Sequence, residues 1–485
     1  MLRPWKLSLD ELPDPGQQSL RMHIVHSMIR DIQRGRLAPG AFLPSSRELA
    51  VSVGVNRKTI VLVYEELKAQ GWIEATSTRG TRVAAALPEQ LPDQMVERSG
   101  PGEHPDFEFL RADIRLSVTP HRDTLTLDLG SPDCRLFPAD VLGRAYRDAA
   151  LQASRAKRLS YGDPRGSLML REAIAAMLGA QRGMVVRPEH ICITRGSQMA
   201  VTIVARALVE RGDIVVMERL SYSPAAVALA EAGARIVTVG LDAQGIDVEE
   251  VEALCKRHPV RAIFVTPHHQ FPTTVSLGPE RRLKLLDLAR HYGIAIIEDD
   301  YDHEYHFESK PLRPLASYAP AGTLYIGSLS KLTLPSLRIG YVVASTQVVD
   351  GIAGQVMNLD RQGNIISEEA VANLIASGEL RRHIRKSHGI YAARRLAFAD
   401  ALRRHLSDVA DFTMPEGGLA FWLQFRDEAL LDRIDRFSET AELRFAPSTS
   451  FAIPPSRGRG LRLGFASLDE DEADRALTSL REVAN

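Results

Sequence analysis

From about residue 123 onward, short β-branched runs alternate with helical segments, and this rhythm restricts the possible folds more than any other feature. The runs are HICIT, DIVVME, ARIVTV, RAIFVTP, IAIIED and TLYIGS, with helical patterns such as 197–210 and 279–291 between them. The alternation predicts a mostly parallel sheet with helices on both faces, in one large α/β domain over 123–485. Ligands of such sheets bind at the carboxyl ends of the strands.

Composition excludes several classes of protein. With 45% hydrophobic and 25% charged residues, the chain is typical of globular proteins. It has no apolar run near the ~20 residues of a membrane span and no signal-peptide pattern, so we expect a cytoplasmic protein without a membrane partner. The cysteines, Cys134, Cys192 and Cys255, lack metal-ligand spacing, and we expect neither disulfides nor a metal site.

The first 84 residues have the pattern of a small α+β DNA-binding domain. Ser45 and Glu48 have the spacing of a capping box, which predicts a helix from just after Pro44 to near Gly54. A second amphipathic helix is predicted over 57–70, and a hairpin formed by WIEA and TRVA follows it. Helix, turn, helix and β-wing make a winged helix-turn-helix.

Basic residues occupy the position that meets DNA in such a domain. Arg57, Lys58 and Thr59 cluster at the start of the second helix, which enters a major groove and meets phosphates. A solvated helix face is the alternative for a charge run. Residues 1–85 carry 12 Lys+Arg against 8 Asp+Glu although the whole chain has a net charge of −1, and this basic excess permits nucleic-acid binding.

The segment 15–84 resembles the GntR family, through GRLAPGAFLPSSRELA and GVNRKTIVLVYEEL. The resemblance implies operator DNA as a partner, with contacts from Arg47, Arg57 and the wing pair Arg79 and Gly80. Residues 85–122 are rich in proline and charge and lack a sustained period, so we predict a linker there.

A solitary lysine in YIGSLSKLTLPSLRIGY requires an explanation. Lys331 lies in a run that is otherwise small or apolar apart from Arg338, and a buried lysine is costly unless it is neutralised or used. The alternative is a lysine at the lip of a strand that extends its amine to water.

Other reactive groups follow the predicted strands. Gly196, Ser197 and Gln198 connect a strand to a helix, where free N–H groups and the helix dipole suit a phosphate, although such turns are common. Asp299 and Tyr301 lie at the end of the apolar run IAIIED, where an ordinary helix N-cap is the alternative. Two serines, Ser328 and Ser330, come just before Lys331.

One cofactor accounts for these groups together. Pyridoxal phosphate needs a lysine for a Schiff base, a carboxylate at its ring nitrogen, a hydroxyl at O3′ and a dianion site. Lys331, Asp299 and Tyr301 match the first three needs. Ser197, Ser328 and Arg338 match the dianion site.

The body resembles the fold-type I aminotransferases, through SLSKLTLPSLRIGY, YGDPRG, ERLSYSP and GLRLGFA. The resemblance implies that Tyr161 reaches the partner subunit's phosphate, that Tyr222 stacks on the cofactor ring, and that Arg462 binds the carboxylate of a substrate or effector. QFPTTV replaces that family's NPTG, so Phe271 stands where an asparagine bonds O3′ and Thr274 replaces the glycine. Tyr301 is then the one residue that bonds O3′ of the cofactor. This argues against efficient transamination more than against cofactor binding.

A GntR-like head on an aminotransferase-like body resembles the MocR-type transcriptional regulators, and TPHHQFPT and EDDYDHEY resemble their versions of these segments. The resemblance implies a regulator whose pyridoxal phosphate senses an amine, an amino acid or the vitamin itself, in head-to-tail homodimers. The alternative is an active aminotransferase that carries a DNA-binding head. A regulator that has lost the cofactor is disfavoured because the cofactor-binding positions are filled.

Overall fold

The computed structural model describes residues 20–76, 80–88, 124–308, 312–438, 443–453 and 458–484. By its contacts the chain divides into two compact units, Met1–Arg111 and Ala112–Asn485, and each is described by itself. Arg79 and, from position 89, the predicted linker lie outside the described residues. Within these ranges, no helix is long and apolar enough to cross a membrane.

The first unit is a winged helix-turn-helix. The Ser45 hydroxyl accepts from the Glu48 N–H at 3.2 Å and the Glu48 carboxylate accepts from the Ser45 N–H at 2.8 Å, so the predicted capping box starts the second helix. Gly54 ends that helix with a φ of 71°, a conformation that glycine adopts without strain. The elements are α1 Leu20–Gln33, α2 Ser46–Val53, α3 Arg57–Ala69, β1 Ile73–Thr76 and β2 Gly80–Val83.

The core of this unit follows from the spacing of apolar residues along α3. Ile60, Val63 and Leu67 recur at helical spacing and are fully buried. They belong to the same cluster as Ile24 and Met28 of α1. The opposite face of α3 is left to solvent, as the sequence predicts.

The second unit contains eleven helices and fourteen strands among the described residues. The helices are α4 Ala139–Arg155, α5 Leu168–Arg182, α6 Gly196–Leu208, α7 Ser223–Glu231, α8 Val248–Cys255, α9 Pro279–Tyr292, α10 Thr346–Asp360, α11 Ile365–Ala376, α12 Glu379–Leu406, α13 Glu428–Asp435 and α14 Glu470–Ala484. The strands are β3 Leu125–Leu127, β4 Ile191–Thr194, β5 Ile214–Glu218, β6 Arg235–Val239, β7 Leu241–Asp242, β8 Gly245–Ile246, β9 Val260–Val265, β10 Ala295–Asp300, β11 Thr323–Ser328, β12 Gly340–Val343, β13 Ala410–Phe412, β14 Ala420–Phe425, β15 Leu443–Phe445 and β16 Gly460–Gly464.

The main sheet has seven strands in the order β4-β12-β11-β10-β9-β5-β6. All pairs are parallel except those of β12, which runs opposite to both of its neighbours. Each of the six predicted runs forms a strand, and β12 is the one that the alternation did not predict. The fold class that we predicted is confirmed.

Successive side chains of the sheet point to opposite faces, and each face is covered by helices. On one face Val215 and Met217 pack with Val204 of α6, and on the other Val216 and its neighbours pack with Leu285 of α9. Strands buried on both faces read as continuous apolar runs, and this is why these runs are so clear in the sequence.

A smaller antiparallel sheet lies within the same unit. Its order is β13-β14-β16, and the register places Trp422 of β14 opposite Arg462 of β16. Helices α12 and α14 pack against each other beside this sheet in the largest apolar cluster. The small sheet therefore fixes the backbone of Arg462.

Candidate functional site

The main sheet gathers the predicted groups at one edge. The carboxyl ends of β4, β10 and β11 meet the amino end of β12 there, because β12 runs opposite to the others. Gly340 pairs with Thr194 on one side and with Ser328 on the other. In the next pair of strands, Asp299 lies opposite Ile326. Residues that are far apart in the sequence thus follow neighbouring strand ends.

The Lys331 amine is held within the site. The side chain is half-buried, and Nζ donates to the carbonyl oxygen of Gly130 at 2.6 Å. Burial lowers the pKa of the Lys331 ammonium, although Asp128 and Asp302 oppose the shift. A lowered pKa favours the neutral amine, which is the nucleophilic form.

Asp299 presents an unsatisfied carboxyl oxygen. The residue is 4% exposed, and its Oδ1 has no hydrogen-bond partner among the described residues. Burial raises the pKa of Asp299 to about 8, and the nearby Asp300 and Asp302 add to the shift. A buried polar atom without a partner costs ~1–3 kcal/mol, which a ligand with a positively charged N–H recovers.

Aromatic side chains form one wall of the site. The rings of Tyr222 and Phe271 meet edge to face with centroids 5.3 Å apart, and the ring centroids of Phe271 and Tyr301 are 6.3 Å apart. The Tyr301 hydroxyl donates to the His269 carbonyl at 2.9 Å. Phe271 has no polar atom in its side chain, so the hydroxyls of this wall are those of Tyr222 and Tyr301.

The first turn of α6 packs closely against Arg338 and Gly340, and we call this group the phosphate cradle. Its N-cap residue, Arg195, makes no side-chain cap, and an added Cβ at Gly196 would lie 2.9 Å from the Arg338 guanidinium. An added Cβ at Gly340 would lie 2.8 Å from the backbone nitrogen of Ser197. Glycine at both positions lets the guanidinium and the strand approach the helix N-terminus, where an anion is favoured.

Serine hydroxyls complete this cradle. The Ser328 hydroxyl accepts from the Ser330 N–H at 3.2 Å, and the Ser330 hydroxyl is buried without a partner among the described residues. The Gln198 side chain is turned away and donates to the Pro224 carbonyl at 3.2 Å. Gln198 is therefore left with its backbone N–H as the group that it offers to an anion.

Arg462 is the largest fully buried side chain of the described chain. Its three nitrogens donate to the Leu129 carbonyl at 2.9 Å, the Pro272 carbonyl at 2.9 Å and the Tyr301 hydroxyl at 3.0 Å. Its Cζ also lies 4.9 Å from the centre of the Phe271 ring. Three of the five N–H groups of a guanidinium are used in this way, and two are left.

Tyr161 does not join the site within one chain. It is 76% exposed, the Arg361 guanidinium lies 4.7 Å from its ring centre, and it lines a cavity of about 560 Å³ with Gly162 and Gln362.

Sequence reasoning missed several buried polar residues of the site. His269 donates from Nδ1 to Asp302 at 2.9 Å, and Asp302 approaches Arg462. Asp300 accepts from Arg182 at 2.6 Å and from the Tyr325 hydroxyl at 2.8 Å, and this ion pair holds its pKa well below the usual range. The available signal was the acidic run DDYDHEY at the end of a buried strand.

Glu218, at the end of β5, supports a prediction on stability and pH. It is 2% exposed, accepts from the Gln270 side chain at 3.0 Å, and has its pKa raised to about 8 by burial. The folded protein therefore keeps a proton that the unfolded chain loses near pH 4.5, and stability falls by up to about 1.4 kcal/mol per pH unit between these two values. We expect Glu218→Gln to raise the free energy of unfolding by ~2–4 kcal/mol at pH 8 and by much less at pH 5.

Urea titrations of the second unit's unfolding transition at both pH values measure this difference. The matched control is Glu280→Gln, an exposed position in the first turn of α9. An equal effect of Glu218→Gln at the two pH values would contradict the assignment of the buried proton.

The candidate DNA interface lies on the first unit. Arg47, Arg57 and Lys58 are exposed, and within the described ranges no carboxylate lies within ion-pair distance of them. The Asn56 side chain accepts from the Lys58 N–H at 2.8 Å and caps α3. Two further predicted contacts are described, the half-buried Thr59 and the exposed Gly80 at the start of β2.

The fold and site define a class: a winged-helix DNA-binding unit and an aminotransferase-type α/β unit on one chain. The family model for bacterial regulatory proteins of the gntR family matches residues 20–83, and that for aminotransferase class I and II matches residues 126–480. The chain belongs to the MocR-type transcriptional regulators. Proteins of its aminotransferase fold use pyridoxal phosphate, and GntR-type regulators bind operator DNA.

Known proteins are similar to this chain over most of its length. It is 32% identical over 461 residues to the probable rhizopine catabolism regulatory protein MocR of Rhizobium meliloti, covering 93% of this chain and 91% of the relative. It is 29% identical to the pyridoxine biosynthesis regulator PdxR of Corynebacterium glutamicum, covering 79% of each. The α-aminoadipate aminotransferase LysN of Thermus thermophilus superposes with a TM-score of 0.67 at 26% identity, covering 75% of this chain and 92% of that one.

Proposed function

We propose that this regulator binds pyridoxal phosphate at Lys331 and uses it in the cytoplasm to sense an amine, an amino acid or the vitamin. The observation that carries the proposal is that a lysine amine and a buried Asp299 oxygen, which lacks a partner among the described residues, lie near the ends of two neighbouring strands at one sheet edge. When bound, the cofactor supplies an aldehyde that condenses with primary amines. Lys331 is the amine that the chain itself provides.

Asp299 is suited to hold the ring nitrogen. Its pKa of about 8 keeps the carboxyl group largely protonated at pH 7 until the cofactor binds. A pyridine nitrogen beside it can take that proton, and the resulting ion pair is favoured in a buried site. The buried oxygen that lacks a partner then gains one.

The phosphate would lie on the first turn of α6. Gly196 and Ser197 offer backbone N–H groups, Ser328 and Ser330 offer hydroxyls, and Arg338 offers charge. These are the groups that a phosphate dianion needs. Tyr222 would cover the cofactor ring, and Tyr301 would bond O3′.

Phe271 favours sensing over complete transamination. With no polar atom at this position, a single hydroxyl, that of Tyr301, would stabilise the O3′ oxygen of the bound cofactor. Fewer hydrogen bonds to the cofactor weaken the electrostatic control that a full catalytic cycle requires. Arg462 has two N–H groups left with which to hold a carboxylate on an effector.

We infer a homodimer from Tyr161. The residue lies outside the site of its own chain, exposed beside a cavity, and a second copy would receive its hydroxyl at the phosphate. A head-to-tail arrangement would let the head of one chain rest on the body of the other. An effector then shifts the balance between two arrangements of head and body, and the two differ in DNA affinity.

Linked titrations test the proposal. Operator affinity is measured at fixed salt with and without each of a panel of amines, and amine affinity is measured with and without operator. We expect one amine to change operator affinity by ~5–150-fold, and the operator to change the affinity for that amine by the same factor. A protein that takes up no pyridoxal phosphate would refute it, and steady turnover of an amino acid with a keto acid would favour the aminotransferase alternative.

A further inference from the structure

His269 contacts two successive residues of the site, Tyr301 and Asp302. Its carbonyl oxygen accepts from the Tyr301 hydroxyl at 2.9 Å, and its ring Nδ1 donates to Oδ1 of Asp302 at 2.9 Å. His269 is 2% exposed and Asp302 is 1% exposed, so water does not compete for these bonds. One residue therefore holds the segment 301–302 through both its backbone and its side chain.

The backbone of His269 has a strained conformation. Its φ is 45°, in the left-handed region that is costly for a residue with a Cβ. Such a conformation persists where the surrounding structure holds it, and it is concentrated at functional sites. At His269 the strained peptide group is the one whose carbonyl accepts from Tyr301.

Contacts of the His269 ring hold this backbone in place. The ring is bonded to Asp302, and it stacks on the His306 ring with centroids 5.7 Å apart. A Cβ added at Gly417 would collide with the His269 ring, and one added at Gly418 would lie 2.8 Å from Oδ2 of Asp302. Glycine at both positions lets the loop close against the pair, so the ring has little room to move.

The Tyr301 hydroxyl is held from two sides. It donates to the His269 carbonyl, and it accepts from Nη2 of Arg462 at 3.0 Å. A hydroxyl has one proton, which can turn to another acceptor such as O3′ of the cofactor while the oxygen stays in place. The place of the Tyr301 oxygen is therefore set by the protein before the cofactor is bound.

We propose that His269 is the positioning residue of Tyr301: the bond from its ring to Asp302 holds the left-handed backbone, and its carbonyl places the hydroxyl oxygen. The inference rests on the proposed function, in which Tyr301 is the one side chain that bonds O3′. Phe271 offers no second donor, so a displaced Tyr301 hydroxyl is not replaced by another group. Control of the cofactor oxygen then depends on a histidine that does not touch the cofactor.

The pKa of bound pyridoxal phosphate tests the proposal, and it is read from visible absorption against pH on the full-length protein. A hydrogen bond to O3′ stabilises the negative charge of that oxygen and weakens its hold on the proton shared with the nitrogen of Lys331, so its loss raises this pKa. We expect Tyr301→Phe to raise the pKa by ~1 unit or more and His269→Ala by ~0.5 unit or more.

A double variant and a conservative variant show how His269 acts. In a Tyr301→Phe background, His269→Ala should change the pKa by less than ~0.3 unit, because its effect passes through the hydroxyl. His269→Asn should return the pKa to within ~0.3 unit of the wild type, since its amide can donate to Asp302 and asparagine tolerates a left-handed backbone. The matched control is His258→Ala, an exposed histidine after α8, which should not change the pKa.

The outcomes separate this inference from the function on which it rests. An unchanged pKa in His269→Ala, or shifts that add in the double variant, overturns the role of His269 and leaves cofactor binding intact. An asparagine variant that behaves like the alanine variant overturns the anchoring by Asp302. His269→Gly removes the ring without backbone strain, has the same expected shift, and replaces the alanine variant if that one does not fold.

Two results concern the proposed function itself. If the wild type takes up no pyridoxal phosphate, the proposed function fails and the inference fails with it. If the cofactor binds but Tyr301→Phe leaves its pKa unchanged, Tyr301 does not bond O3′, and His269 has no hydroxyl to position there.

Discussion

Lys331→Ala abolishes covalent attachment of pyridoxal phosphate and the response of operator binding to amines, while operator affinity without amine stays within about twofold of the wild type. The Lys331 amine is the group that we propose condenses with the cofactor, and burial lowers the pKa of its ammonium form. Alanine at this position leaves the phosphate cradle and the Asp299 carboxyl intact. The variant can therefore still hold the cofactor, but without a covalent bond.

Desalting and mass measurement after borohydride reduction show whether the cofactor is attached, and titration of labelled operator measures DNA binding. The matched control is Lys386→Ala, an exposed lysine on α12, which should behave as the wild type. If Lys331→Ala responds to amines as fully as the wild type, the cofactor is structural and the sensing proposal is wrong.

Arg57→Ala lowers operator affinity by about 5–150-fold, the ~1–3 kcal/mol that a side chain contributes when it reads a base. Arg57 is exposed at the first position of α3, and Asn56 caps the helix immediately before it. With no carboxylate beside it among the described residues, its guanidinium is available to DNA. Cofactor uptake should be unchanged, because the substitution lies in the other unit.

The dependence of affinity on salt distinguishes the kind of contact. If Arg57 reads a base, affinity falls mainly for the operator; if it meets a phosphate, affinity falls equally for all sequences and the salt slope is reduced. Lys68→Ala, at the exposed far end of α3, is the matched control and should change affinity little. Unchanged operator binding by Arg57→Ala would show that α3 is not the recognition helix.

Much of the fold could be predicted because its determinants are local. The capping box at Ser45 and Glu48 depends on three residues of spacing, and both of its hydrogen bonds are present. The apolar runs of the main sheet are continuous because the strands are buried on both faces. Lys331 and Asp299 could be placed at one site for a related reason: the carboxyl ends of parallel strands share an edge.

Tertiary structure alone decided how the groups are paired and charged. β12 runs antiparallel and brings Gly340 between Thr194 and Ser328, although no local pattern specifies its partners. The contact of Arg462 with Asp302 joins segments that are distant in the chain, and Asp299 has a raised pKa because the completed fold buries it. Helix and strand propensity, helix capping and hydrophobic periodicity depend on residues that are near neighbours in the sequence, so they can be predicted from it. Burial, counter-ions and pKa shifts depend on what surrounds a group in space, and only the folded chain determines that.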